Sequence, residues 1–283
     1  MILVQGARAG CHPSPGREGA PLSAIDRNNV RVKGAGERAM VFAHGFGCDQ
    51  NMWRHVAPAF EATFRTVLFD NVGAGNSDLG AYDPGKYASL SGYAEDLIEI
   101  IRELDMSGTV LVGHSVSAMI GILASLRAPE LFSALVLVGP SPRYIDDGDY
   151  HGGFTADQIE ELLEFLAENP MAWSRAMAPA IIGNPDRPEL GEELTESFCR
   201  TDPAIALGFA RATFTSDNRD DLPKVTTRTL ILQCSDDIIA PEAVGRYVHD
   251  HIAHSELVLL QATGHCPNLS APAEVISAVQ AFV

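Results

Sequence analysis

Thr109-Val-Leu-Val-Gly-His-Ser-Val-Ser-Ala-Met-Ile-Gly121 changes character in its middle. Thr109 to Val112 is a short, β-branched apolar run and predicts a buried strand. Ala118 to Arg127 predicts a helix. Between them, Gly113-His114-Ser115-Val116-Ser117 must turn the chain sharply. A serine on such a strand-to-helix turn is lifted off the sheet, and the N–H of the next residue, Val116, points where an oxyanion would form. Small residues are needed on both sides of it. Gly113 meets that need, and Ser117 stands where the usual G-x-S-x-G pattern has its second glycine. The competing reading of this stretch alone is an ordinary turn whose serine caps the helix.

Outward from this turn the chain alternates. Val30 to Lys33 predicts an edge strand and Ala39 to Ala43 a buried one. The latter runs into His44-Gly-Phe-Gly-Cys-Asp49, a loop in the position where a serine hydrolase places its second oxyanion donor, here the N–H of Phe46. A short helix is expected over Met52 to Phe60 and a strand over Thr66 to Phe69. The glycine-rich loop from Asn71 to Asp78 follows, then an amphipathic helix over Tyr93 to Leu104. Ala134 to Val138 is the next strand. Such alternation predicts βαβ units and a mostly parallel, doubly wound sheet covered on both faces, an α/β fold.

The alternation stops at about Gly139 and resumes after Asp217. Four helical stretches fill the gap, opened by Thr155 with Gln158, by Pro170, by Pro188 and by Asp202-Pro203. The expected organisation is a disordered leader over 1–27, an α/β core over 28–139 and 218–283, and a helical lid over 140–217 inserted after the strand Ala134–Val138. A lid over the carboxyl edge of a sheet covers the place where open α/β folds bind ligands. His114, Phe154, Trp173, Met177 and Phe214 are the candidate pocket residues.

Two further turns follow strands. Cys234-Ser-Asp-Asp-Ile-Ile-Ala-Pro241 comes after Thr229 to Gln233, and Gly264-His265-Cys266-Pro267 comes after Leu257 to Leu260. Serine is a weak nucleophile without a base, and the base needs an orienting carboxylate. Ser115, an aspartate of the first turn and His265 supply all three in the order Ser…Asp…His. Asp237, four residues before Pro241, is favoured as the acid over its neighbour Asp236. Cys266 is expected to point away from the site.

The chain has 283 residues, of which 37 are acidic and 20 basic, for a net charge of −17. That balance argues against nucleic acid and anionic membranes as partners. The five cysteines are scattered, with no C-x-x-C pair. They read as reduced thiols of a cytoplasmic protein rather than a disulfide framework or a metal site. No metal or organic cofactor is expected, and a monomer or a weak homodimer is.

HGFGCDQNMW (44–53), FDNVGAGNSD (69–78), VGHSVSAMIGILASLRAPELFSALVLVGPSPRY (112–144), DYHGGF (149–154), FCRTDP (198–203), LQCSDDIIAP (232–241) and GHCPNLS (264–270) are long and specific segments. In them the chain resembles the RsbQ-type α/β-hydrolases of bacterial stress signalling and their plant relatives, the strigolactone and karrikin receptors. GHSVSAM looks like the plant proteins; FCRTDP, DDIIAP and GHCP look like the bacterial one. The resemblance implies an α/β-hydrolase fold with a four-helix V-shaped lid, the triad Ser115, Asp237 and His265, and a small hydrophobic ester or lactone as substrate. It also implies a signalling alternative, in which the output is binding to a partner such as a PAS-domain phosphatase.

Overall fold

The computed structural model describes residues 22–283. Among these residues seven strands form one sheet: β1 (Arg31–Lys33), β2 (Arg38–Ala43), β3 (Phe64–Leu68), β4 (Thr109–His114), β5 (Phe132–Val138), β6 (Thr229–Asp236) and β7 (Ser255–Thr263). Their spatial order is β1-β3-β2-β4-β5-β6-β7, with β1 antiparallel to β3 and all other pairs parallel. The helices in chain order are α1 (Ala24–Arg27), α2 (Leu90–Glu103), α3 (Val116–Arg127), α4 (Ala156–Glu168), α5 (Pro170–Ile182), α6 (Pro188–Arg200), α7 (Pro203–Phe214), α8 (Glu242–His251), α9 (Pro267–Ser270) and α10 (Pro272–Phe282).

Strand side chains alternate between two apolar cores. Met40, Phe42, Val110, Val112, Val136 and Leu232 face one layer, which holds Trp53, Phe60, Val275 and the inner side of the lid. Val41, Ala43, Leu111, Leu135, Leu137 and Ile231 face the other, with Leu97, Ile101 and Ile120. A parallel sheet buried on both faces needs such continuous apolar runs. The register sets Ala43 beside Gly113, and Val138 beside both His114 and Leu232. The carboxyl ends of β2, β4, β5 and β6 thus open at one edge.

Helices α4 to α7 lie between β5 and β6. Thr155 and Gln158 form the capping box that starts α4. The two ends of this insertion meet: Arg143 bridges to Asp217 through the backbone, and its Nη1 lies 2.6 Å from the Asp217 carboxylate.

Two expectations are corrected. Met52 to Phe60 is not one helix but two 3-10 turns, Gln50–Trp53 and Ala57–Phe60. Asp49 caps the first, and Pro58, lacking an N–H, opens the second. Ordered structure also begins before Asn28. Ser23 caps α1, and Arg27 pairs with buried Asp96 at 2.9 Å and with Glu99 at 2.8 Å. The remainder of the expected leader lies outside the described residues. Among those described, no helix is long and apolar enough to cross a membrane.

Candidate active site

The turn after β4 is sharp because Ser115 takes φ +56°, ψ −123°. Its N–H donates to Val138 O of β5 at 2.8 Å, which anchors the turn to the sheet. Gly113 is required for close approach: a Cβ there would sit 2.5 Å from Ser117 O. The backbone N–H of Val116 opens α3 and belongs to the donors that no helical carbonyl can reach.

Two other strand ends bring their side chains to Ser115. The Ser115 hydroxyl lies 2.7 Å from His265 Nε2, and His265 Nδ1 lies 2.7 Å from Asp237 Oδ2. All three residues are buried. A carboxylate only accepts, so Nδ1 carries the ring proton and Nε2 is free to accept from the serine. Asp237 Oδ1 accepts from the N–H groups of Ile239 at 2.8 Å and Ala240 at 3.0 Å. Burial alone would push this carboxyl up, but His265 and the two backbone donors outweigh it and hold it below the usual range. Asp236 is exposed at the end of β6, and the carboxylate that pairs with His265 is that of Asp237.

His265 is pinned from both sides. His265 N–H donates to Ile181 O of lid helix α5 at 2.8 Å, and His265 O accepts from His114 Nε2–H at 2.7 Å. Burial, with the unfavourable proximity of the His265 ring, holds His114 down to about 3, so its imidazole stays neutral. The loop after β2 is fixed as firmly. His44 Nε2 accepts from Asn71 N–H at 2.9 Å, and its Nδ1–H donates to Gly45 O at 2.9 Å.

The lid closes over this group. Gly47, at φ +67°, lets the loop after β2 meet α6, since a Cβ there would overlap the Phe198 ring. Ser197 of α6 donates to Gly47 O at 2.8 Å. The Phe46 ring is surrounded by those of Trp173, Phe198, Phe209 and Phe214, all with centroids within 6.1 Å. A cavity of about 30 Å³ remains beside Ser115 and His265. It has room for a water or two.

Of the sequence-predicted pocket residues, His114 and Phe214 line this cavity. Trp173, Phe154 and Met177 do not. Trp173 is buried one layer back, against Phe46 and Phe198. Phe154 pairs its backbone with the Tyr144–Asp146 segment at the base of the lid, and Met177 packs half-buried in the lid core. The lining instead includes Tyr144, Ile181, Leu194 and Phe198. Leu194 and Phe198 are four apart on α6, a spacing that marks one helical face without saying which neighbour it meets. Cys266 does not point away: it and Cys48 both line the cavity. Burial raises both thiols, Cys48 up to about 12, so they act as small apolar groups. The four described cysteines are free, and no described cluster of three or more His, Cys, Asp or Glu side chains could hold a metal ion.

A strand-turn-helix nucleophile elbow with an acid and a histidine on later strand ends is the layout of one large enzyme family. Residues 40–278 match the model of the alpha/beta hydrolase family. The chain belongs to that family. This hydrolase is 41% identical over 252 residues to a strigolactone esterase of Arabidopsis thaliana, covering 89% of this chain and 94% of the relative. It is 39% identical over 252 residues to a karrikin insensitive 2 receptor of Petunia hybrida, covering 89% and 93%. A solved hydrolase from Oleispira antarctica superposes on the α/β hydrolase with a TM-score of 0.90 at 40% identity, covering 92% of this chain and 95% of that one.

Proposed function

We propose that this enzyme hydrolyses small hydrophobic esters or lactones through a Ser115–His265–Asp237 triad. The unbroken hydrogen-bond chain of two 2.7 Å links, buried beneath an apolar lid, is the observation that carries this reading. As the Ser115 hydroxyl attacks the carbonyl carbon, His265 Nε2 takes its proton. The carbonyl π pair moves onto oxygen, and the N–H groups of Phe46 and Val116 hold that oxyanion. Asp237 stabilises the imidazolium without taking its proton. Collapse of the tetrahedral intermediate expels the alcohol, which His265 protonates. Water, deprotonated by His265, then frees the acid from Ser115. The esterase named among the relatives supports the substrate class.

Replacing Ser115 by alanine is expected to cut kcat for a short p-nitrophenyl ester by roughly 10⁴ or more while the fold is kept. Undiminished turnover in that variant would remove the triad assignment.

A ligand-sensing function is the second reading, favoured by the receptor named among the relatives and by the small, apolar-lined cavity. In it the chain is an RsbQ-type module, in keeping with FCRTDP, DDIIAP and GHCP, and its output is binding to a protein such as a PAS-domain phosphatase. A cytoplasmic setting is in keeping with four free thiols. Intact mass spectrometry after incubation with a synthetic butenolide separates the two. A lasting adduct on Ser115 or His265 with slow turnover favours sensing. Fast turnover of simple esters with no adduct favours a metabolic esterase.

A further inference from the structure

The position two past the nucleophile in a G-x-S-x-G turn carries glycine because strand and helix crowd there. In this chain it is Ser117, fully buried, and its hydroxyl has work. It donates to His44 O at 2.5 Å, across 73 residues of sequence. The other donor to that carbonyl is distant, Asn71 Nδ2 at 3.4 Å. Ser117 follows Val116 directly, and His44 stands two residues before Phe46. One hydrogen bond thus ties together the two backbone segments whose N–H groups face the oxyanion.

The next peptide is held separately. Gly45 O accepts from His44 Nδ1–H at 2.9 Å and from Cys48 N–H at 3.3 Å. In a trans peptide the N–H lies opposite the carbonyl, so Phe46 N–H is turned away from both donors. Among the described residues no protein acceptor occupies it.

We propose that Ser117 is a positioning residue of the oxyanion hole: its hydroxyl fixes the separation between the N–H groups of Phe46 and Val116. This rests on the triad reading above. Oxyanion donors act at 2.7–3.1 Å from the charged oxygen, and a misplacement of about 1 Å costs on the order of 10²-fold in rate. The oxygen carries its charge only in and around the tetrahedral intermediate. Loss of the Ser117 hydroxyl therefore falls on kcat and spares KM.

The test compares wild type, Ser115→Ala, Ser117→Ala and Ser117→Gly on p-nitrophenyl acetate, with inhibition by a trifluoromethyl ketone as a second readout. In that inhibitor the Ser115 oxygen bonds to the ketone carbon, the carbonyl pair becomes the oxyanion, and His265 holds the serine proton. Two Ser117 variants are used because alanine keeps the Cβ and glycine restores the usual small residue; circular dichroism selects the folded ones. The expected result is a fall in kcat of about tenfold or more with KM changed less than about twofold. Ketone affinity should fall by the same factor as kcat/KM. Unchanged kcat and ketone affinity in a folded Ser117 variant, with Ser115→Ala inactive, would overturn the inference alone. So would a loss of rate that merely tracks a smaller folded fraction. Full turnover by Ser115→Ala would remove the triad reading and this inference with it.

Discussion

Below Ser115 the site is held by backbone and by hydrogen bonds to charge; above it, by side-chain packing. On the floor, β4, β6 and β7 each end in a turn, and Asp237 Oδ1 is fixed by two N–H groups. On the roof, Phe46, Leu194, Phe198 and Phe214 meet as apolar surfaces on the loop after β2 and two lid helices. Directional bonds fix atoms to tenths of an ångström, as a reaction needs. Packing fixes volume and tolerates exchange of one apolar shape for another. In the proposed hydrolase the floor sets the reaction and the roof the molecules that reach it.

Breaking the floor should have the largest effect. Asp237→Asn leaves the side chain's size but removes the acceptor that keeps the proton on His265 Nδ1. We expect kcat to fall on the order of 10³–10⁴ with little change in KM, measured on a short ester. A loss under tenfold would mean that the acid only packs. Phe198→Ala attacks the roof. It should cost about 3–5 kcal/mol in urea denaturation. It should also raise kcat/KM for long-chain esters relative to acetate. An unchanged chain-length profile would show that Phe198 does not gate the cavity.

Acid should weaken the floor before the roof. His114 titrates at about 3 in the folded chain and near 6.5 unfolded, so between these values the unfolded chain binds the extra proton. Stability then falls as pH drops below about 6, by roughly 1 kcal/mol per pH unit. Asp237 adds to this only at lower pH. Its folded carboxyl is depressed, so its contribution is present above the unfolded value near 4 and is lost as pH falls through the folded one. Urea midpoints from pH 7 to 4 test the sign; a flat profile would contradict it. The smallest effect belongs to the outer rim. Arg54 and Glu193, paired at 2.6 Å between the core and α6, are both exposed. Arg54→Ala should cost under about 1 kcal/mol.

The floor was legible in the sequence because each piece is local. A short, mostly apolar strand run, a tight turn and one candidate side chain fall within ten residues at Ser115, Asp237 and His265. The roof was not. Trp173 reads as a pocket residue from its size and helical place, yet α5 turns it behind Phe46, and Phe198 on α6 takes the inner position. Which face of a lid helix looks inward depends on its packing partner, and no local pattern encodes that. Ser117 failed for a related reason. Alone it reads as a tolerated departure from glycine; its partner, the carbonyl of His44, belongs to another strand's end. Cys266 precedes Pro267, the first residue of α9, and lines the cavity with Cys48 from the loop after β2.

The backbone of Ser115 has a consequence for anyone improving this molecule. At φ +56°, ψ −123° a residue with a side chain carries strain on the order of 1–3 kcal/mol, which glycine would escape. Glycine's extra freedom in the unfolded chain offsets only about 0.5–1 kcal/mol of that relief. The buried bond to His265 Nε2 returns about 1–3 kcal/mol of that relief, so a library sorted purely for heat resistance barely distinguishes Ser115 from a glycine that is no nucleophile. Selection on turnover has to accompany every round, because heat resistance alone does not preserve the nucleophile.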